Sequence, residues 1–189
     1  TPRTSSAASD VYKRQASSHG LDQKRLHHIK FKGAIFTNFS QDHLDYHKTM
    51  KSYLNAKLIL FRKILSKKSA IISNDEIPTY KILNQIAKKK YLKILNINKN
   101  FEKIKNIDLK LNEDFKIRNL AMAIEAAKLC GLKEKLIFKS LKKLKDVNGR
   151  LELVKRYPNN VKVFIDYAHT PDALLAVSYT HLRAHETLL

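Results

Sequence analysis

The sequence predicts an α/β fold in which a mostly parallel sheet is flanked by helices. Three observations carry that prediction. Short apolar runs alternate with longer segments of helical periodicity. Polar clusters at positions 42–47 and 166–172 follow expected strands, as binding loops do at the carboxyl ends of parallel strands. The chain has 189 residues and is 43% hydrophobic, enough to close a core around such a sheet.

Taken in order, residues 33–38 read as a short buried strand. Residues 49–65 carry apolar side chains at Met50, Tyr53, Leu54, Leu58, Phe61 and Leu65, the i, i+3, i+4 spacing of an amphipathic helix. Residues 68–73 form a second strand, ended by Asn74-Asp75. Residues 78–89 are a helix with Pro78 in its first turn. Residues 91–97 are a third strand, and the lysine-rich stretch 98–110 reads as a loop and a peripheral strand. Residues 115–130 are an alanine-rich helix stopped by Gly131. A further helix covers 134–144 and ends before Asn148-Gly149. Residues 161–166 alternate as a strand, and a helix starts at Asp172.

Composition narrows the function classes. Cys130 is the one cysteine, which excludes an internal disulfide framework and suits a reducing compartment. No apolar run approaches the roughly 20 residues that span a bilayer. The start of the chain also lacks the apolar core of a signal peptide. A soluble cytoplasmic protein is the expectation. The net charge of +20 points toward nucleic acid. Two observations weigh against that reading. The excess is nearly all lysine, interleaved with Ile and Asn, and arginine and aromatic residues are not gathered into a groove-reading or stacking motif. Solvated lysine faces account for the charge, with some attraction for anionic substrates.

The two ends differ from everything between them. Residues 1–15 hold one Lys and no Ile or Asn, and residues 178–189 hold none of the three. Both read as non-native junction sequence outside the fold. Between them, one domain is expected over 16–158, and a second begins at 159–177.

The densest chemistry lies in Asn38-Phe39-Ser40-Gln41-Asp42-His43-Leu44-Asp45-Tyr46-His47, with Lys57 on the helix that follows. Two carboxylates and two imidazoles within six positions, at a strand end and near a lysine, suit a site handling metal and phosphates. Taken alone, the stretch reads equally well as a polar loop with a solvated lysine. Three other stretches stand beside it. They are Ser17-Ser18-His19-Gly20-Leu21-Asp22-Gln23-Lys24-Arg25, then Phe115 to Ala123 with Asn119, and finally Gly149-Arg150-Leu151-Glu152 with Asp166-Tyr167-Ala168-His169-Thr170-Pro171-Asp172.

In this order the four stretches closely resemble the Mur ligases, specifically the branch that adds the third amino acid to the peptidoglycan stem peptide. The resemblance implies the central ATPase domain of that family and the start of its Rossmann-like C-terminal domain. It implies an ATP-dependent amide ligation with Mg2+. The carboxylate of UDP-MurNAc-L-Ala-D-Glu is activated as an acyl phosphate, then attacked by the amine of diaminopimelate or lysine. A monomer with no nucleic-acid or membrane partner is the expectation. Other Mur ligases and the folylpolyglutamate synthases are alternatives, and a basic nucleic-acid-binding protein is the alternative from another class.

Site roles follow from the same resemblance. Ser17, Gln23 and Arg25 match positions that hold the UDP-MurNAc-dipeptide; a guanidinium suits a carboxylate or phosphate. His43 matches a magnesium-binding histidine, with Asp42 and Asp45 shaping its loop. Lys57 matches a lysine carbamylated by CO2, a change that turns a cation into a magnesium-binding anion. Asn119 matches an asparagine near adenine, although Lys116 stands where the family often has a second one. Arg150, Asp166 and His169 match residues on the nucleotide side. No GxxGK[ST] phosphate loop is present, and the acidic residue expected two positions before Ser17 is Gln15.

Overall fold

A computed structural model describes residues 15–107, 114–145, 147–159, 161–171, 173–175 and 177–178. The expected junction ends therefore lie outside the described residues apart from Gln15 and Ser178, as do Asp172 and positions 108–110.

Three parallel strands form the main sheet in the order β1-β2-β3: β1 Gly33–Phe36, β2 Ala70–Ser73 and β3 Lys93–Leu95. The middle strand is buried along its whole length. Its alternation divides two apolar cores, because successive side chains point to opposite faces. Ile71 joins Leu21, Leu26, Leu58, Phe61, Leu65 and Leu83. Ile72 joins Phe101, Ile104, Ile117, Met122 and Ile137. Each of these two isoleucines is at most 1% exposed, and burial of that kind stabilises the fold by roughly 1.5–3 kcal/mol per side chain. Covering both faces explains why β2 reads as a continuous apolar run rather than an alternating one.

The first face is covered by α1 Ser18–Asp22, α3 Met50–Ile59 and α4 Tyr80–Lys90, with the single-turn helix α2 Leu44–His47 leading into α3. The predicted helix over 49–65 is present, but it changes pitch. After Ile59 it continues as a π-helical turn, Leu60–Ile64, closed by the Leu65 N–H donating to the Leu60 carbonyl at 2.9 Å. Thr49 caps α3 by accepting the Ser52 N–H at 3.1 Å. Helix α4 ends on three lysines, which suit the negative end of its dipole.

The second face is covered by α5 Asn98–Lys105, α6 Asp114–Leu129 and α7 Glu134–Leu141. Here the reading of 98–110 as a loop with a peripheral strand is corrected: residues 98–105 are helical. Ile97, Phe101 and Ile104 are buried at i, i+4 and i+7, so the helix hides one apolar stripe under lysines. Helix α6 stops at Gly131, whose φ of +93° favours glycine, with the Leu132 N–H returning to the Ala127 carbonyl at 3.1 Å. Gly33 is needed for closeness: a Cβ there would stand 2.6 Å from Leu129 Cδ2 and 2.8 Å from the Ala70 carbonyl oxygen.

Beyond α7, β4 Glu152–Arg156 and β5 Lys162–Ile165 pair antiparallel, with the register slipping between Leu153 and Lys155. The sequence reading contained β5 but not β4, and the two strands lie on either side of the expected boundary at 158/159. The described residues from Pro171 onward are helical. Among the described residues, no helix is long and apolar enough to cross a membrane.

Candidate active site

Two groups of site residues form, one around α1, α2 and α3 and one at the mouth of the β4–β5 hairpin. Asn119 belongs to neither. It is exposed on α6, beside Arg118, which packs over the Phe101 ring at 4.4 Å and pairs with Glu76 just after β2.

The first group starts on α1. Ser17 is the N-cap of that helix, its Oγ accepting the Gly20 N–H at 3.1 Å. The hydroxyl proton is left free to donate elsewhere. Gln23 and Arg25, at the far end of α1, are exposed. The loop after β1 then turns sharply. His43 has φ +53° and Lys48 φ +64°, so the one-turn helix α2 is bracketed by two left-handed residues. Asp42 supports the first of them by accepting the His43 N–H at 2.8 Å.

This turn gathers aromatic rings that sequence reasoning missed. His19 of α1 lies 5.1 Å from His43, 4.1 Å from Tyr46 and 5.4 Å from His47, measured between ring centroids. It joins the candidate substrate stretch to the candidate metal loop. Tyr46 also donates its hydroxyl to Asp22 at 3.0 Å, a bond that raises the phenol above its usual range. His47 is 6% exposed, and its Nε2 has no partner. Burial, then the neighbouring His19, pushes its imidazole below the ordinary histidine value.

Tyr53 of α3 is the shared neighbour. Its ring stacks on His47 at 5.3 Å, meets His43 edge-on at 5.8 Å and carries the Lys57 Nζ 4.8 Å from its centroid. Lys57 is half-buried, and burial holds its amine below the ordinary lysine value while the Asp42 carboxylate pulls the other way. That direction favours the neutral amine, the form that reacts with CO2. The signal for Tyr53 was available in the sequence: it stands four positions before Lys57 on the same helix, the spacing at which side chains meet.

Among the described residues, no group of three or more His, Cys, Asp or Glu side chains converges as a metal cluster. His43 and Lys57 instead share the Tyr53 ring, and Asp42 Oδ2 lies 3.5 Å from His43 Nε2. One imidazole and one carbamate would be a sparse donor set for a stand-alone site. The carbamate oxygens of such a pair would suit Mg2+, a hard cation that commonly takes one or two protein anions and fills its shell with phosphate oxygens and water.

In the second group, Asp166 accepts the Leu151 N–H and the Ala168 N–H, each at 2.7 Å, one on each oxygen. Arg150 lies over the Tyr167 ring at 4.9 Å. His169 Nδ1 is 2.9 Å from the Tyr167 carbonyl, which only accepts, so Nδ1 is the donor in that bond. Arg150, Asp166 and His169 thus come together, as their spacing in sequence did not require.

Comparison with known proteins follows the same lines. The Mur ligase middle domain matches residues 14–130. A UDP-N-acetylmuramoyl-L-alanyl-D-glutamate–2,6-diaminopimelate ligase of Rickettsia bellii is 39% identical over 181 residues, 85% of this chain and 37% of the relative. The ligase of the same description from Aquifex aeolicus is 40% identical over 182 residues, 85% of this chain and 36% of the relative. A solved structure of such a ligase superposes with a TM-score of 0.61 at 27% identity, covering 87% of this chain and 38% of that one. The chain spans a little over a third of the length of the curated relatives it matches.

Proposed function

The chain belongs to the Mur ligase family, and from that footing we propose that it is part of an ATP-dependent ligase joining diaminopimelate to UDP-MurNAc-L-Ala-D-Glu. The observation that carries this reading is the placement of Lys57 and His43 on one aromatic ring at the carboxyl end of β1, in a chain whose relatives bear that ligase name. Residues 16–158 would be most of the central domain and 159–177 the start of the C-terminal one.

In the reaction so inferred, Arg25 pairs with an anionic group of the UDP-MurNAc-dipeptide, while the free Ser17 hydroxyl and the Gln23 amide orient it. The Lys57 ammonium loses one proton to give the neutral amine, whose lone pair forms an N–C bond to CO2 as one C=O π pair moves onto oxygen; the nitrogen then releases a second proton, leaving a carbamate anion. That anion and His43 would hold Mg2+, with Asp42 keeping the His43 backbone in its turn. Mg2+ would supply charge neutralisation for the phosphate oxygens of ATP. Asn119 presents an exposed amide suited to an adenine edge, and Arg150, held over Tyr167, presents a guanidinium suited to phosphate. His169, oriented by its Nδ1 donating to the Tyr167 carbonyl, is read as standing on the nucleotide side. The scattered lysines are read as solvated faces, and the enzyme as a cytoplasmic monomer acting on small molecules.

The test is phosphate release by the full-length ligase containing this segment. It should require ATP, Mg2+, UDP-MurNAc-L-Ala-D-Glu and diaminopimelate together, and lysine should substitute poorly. Release that is indifferent to omission of the dipeptide would overturn the reading.

A further inference from the structure

Four side chains meet on Tyr53, and the geometry of that meeting goes beyond a packing role. The residue is 4% exposed. Its ring is braced by Phe39 at 5.2 Å and by His47 at 5.3 Å, both at shallow interplanar angles of 36° and 29°. Against this braced ring stand the two candidate metal-facing groups, His43 edge-on and the Lys57 Nζ over it. No carboxylate forms an ion pair with Lys57 among the described residues, so the ring is the contact that locates its amine. A lysine side chain has several freely rotating bonds and large rotamer entropy, whereas a buried tyrosine ring has two torsions already fixed by packing. One rigid plane therefore sets the position of two groups that come from different elements.

We propose that Tyr53 is a positioning residue whose ring fixes the Lys57 amine and the His43 imidazole relative to each other at the carboxyl end of β1. The assignment rests on the reading of Lys57 as the carbamylated lysine, and it names the part of the fold that holds that lysine in place. The ring rather than the hydroxyl does this, since the phenol oxygen has no hydrogen-bond partner among the described residues. Phenylalanine should therefore replace tyrosine, and leucine should not.

Lysine labelled with 13C at the ε-carbon reads the geometry directly. The Lys57 resonance, assigned by its disappearance in Lys57→Ala, should be displaced by the aromatic ring current. Tyr53→Phe should keep the displacement. Tyr53→Leu should lose it while circular dichroism stays native, and Tyr53→Met, whose longer unbranched side chain adapts to irregular space, is read if the leucine variant does not fold. With 13C-bicarbonate added, the carbamate signal should be present in the parent and in Tyr53→Phe, and diminished in Tyr53→Leu or Tyr53→Met. An unchanged Lys57 displacement in a folded ringless variant overturns the proposal. So does a carbamate signal equal to the parent's despite loss of the displacement. A displaced resonance with no carbamate in the parent instead overturns the carbamylation reading and leaves the positioning of Lys57 by Tyr53 supported.

Discussion

Asp166 binds the backbone of Leu151, 15 residues earlier in the chain, at 2.7 Å, and so ties the loop carrying Arg150 to the strand end carrying His169. Its second oxygen is spent on the Ala168 N–H. Asp166→Ala should release both amides. Hydrogen exchange at Leu151 and Ala168 should accelerate by an amount corresponding to roughly 0.5–1.5 kcal/mol of lost local protection, because two part-buried donors lose their acceptor. Unchanged exchange at both positions would mean that the loop is held by something else.

Ser17 has a structural duty separable from any substrate contact. As the N-cap of α1 it accepts the Gly20 N–H, and Ser17→Ala should lower stability by about 1 kcal/mol in urea denaturation. Ser17→Asp keeps an acceptor and should restore the stability while adding a charge that opposes an anionic substrate. A purely substrate-binding serine would leave the denaturation midpoint where it was.

Gly33 admits no side chain. A methyl group there meets the Ala70 carbonyl, which is fixed by the parallel pairing of β1 with β2, so Gly33→Ala should destabilise by about 1–3 kcal/mol. Thermal unfolding followed by circular dichroism checks this, and a melting temperature at or above the parent's would contradict the close approach.

Stability should fall with acidity through His47. Its folded-state value lies below the ordinary 6.5, so the unfolded chain binds the proton more readily. Stability is then fully present above that ordinary value and is lost as the pH drops from about 6.5 toward the depressed folded value. His47→Gln should flatten this part of the stability–pH profile, measured by urea denaturation at several pH values. A slope identical in parent and variant would show that another group is responsible.

Lys57→Ala in the full-length ligase should lower kcat/KM by about 100-fold or more, as loss of a single charge-stabilising group commonly does. Added bicarbonate should not restore it, because no amine remains to carry the carbamate. Full activity in this variant would remove Lys57 from the chemistry.

The parallel sheet and its helices were legible in the sequence, whereas the packing of the separate polar stretches against one another was not. The alternation of apolar runs and helical periods was enough for the parallel sheet, and the spacing of Tyr53, Leu58, Phe61 and Leu65 was enough for the helix under Lys57. The Asp42–His47 cluster stood out because it crowds two carboxylates and two imidazoles into six positions, and it was the company of the other three stretches that set it apart from a polar loop. Helix α5 was hidden because lysine and asparagine outnumber its buried Phe101 and Ile104, so composition drowned the period. Strand β4 was hidden because its side chains are mostly exposed and obey no burial pattern. The ring cluster needed the third dimension. His19 and His43 are 24 positions apart, and nothing local in either stretch requires them to touch.

The π turn at 60–64 gives the helix two phases. An α-helix advances about 100° per residue, so the extra residue in that turn shifts the sequence period after it by about that much relative to the period before. Lys57 and Tyr53 belong to the first phase, and Leu65 and the entry to β2 belong to the second. Deleting one residue within 60–64 would turn the Leu65-to-Leu60 bond into an ordinary α-helical one and leave Tyr53, Lys57 and Leu65 on the faces they now occupy. The wide turn thus takes up a one-residue change in length between the Tyr53–Lys57 segment and the Leu65 anchor, so that neither has to shift face.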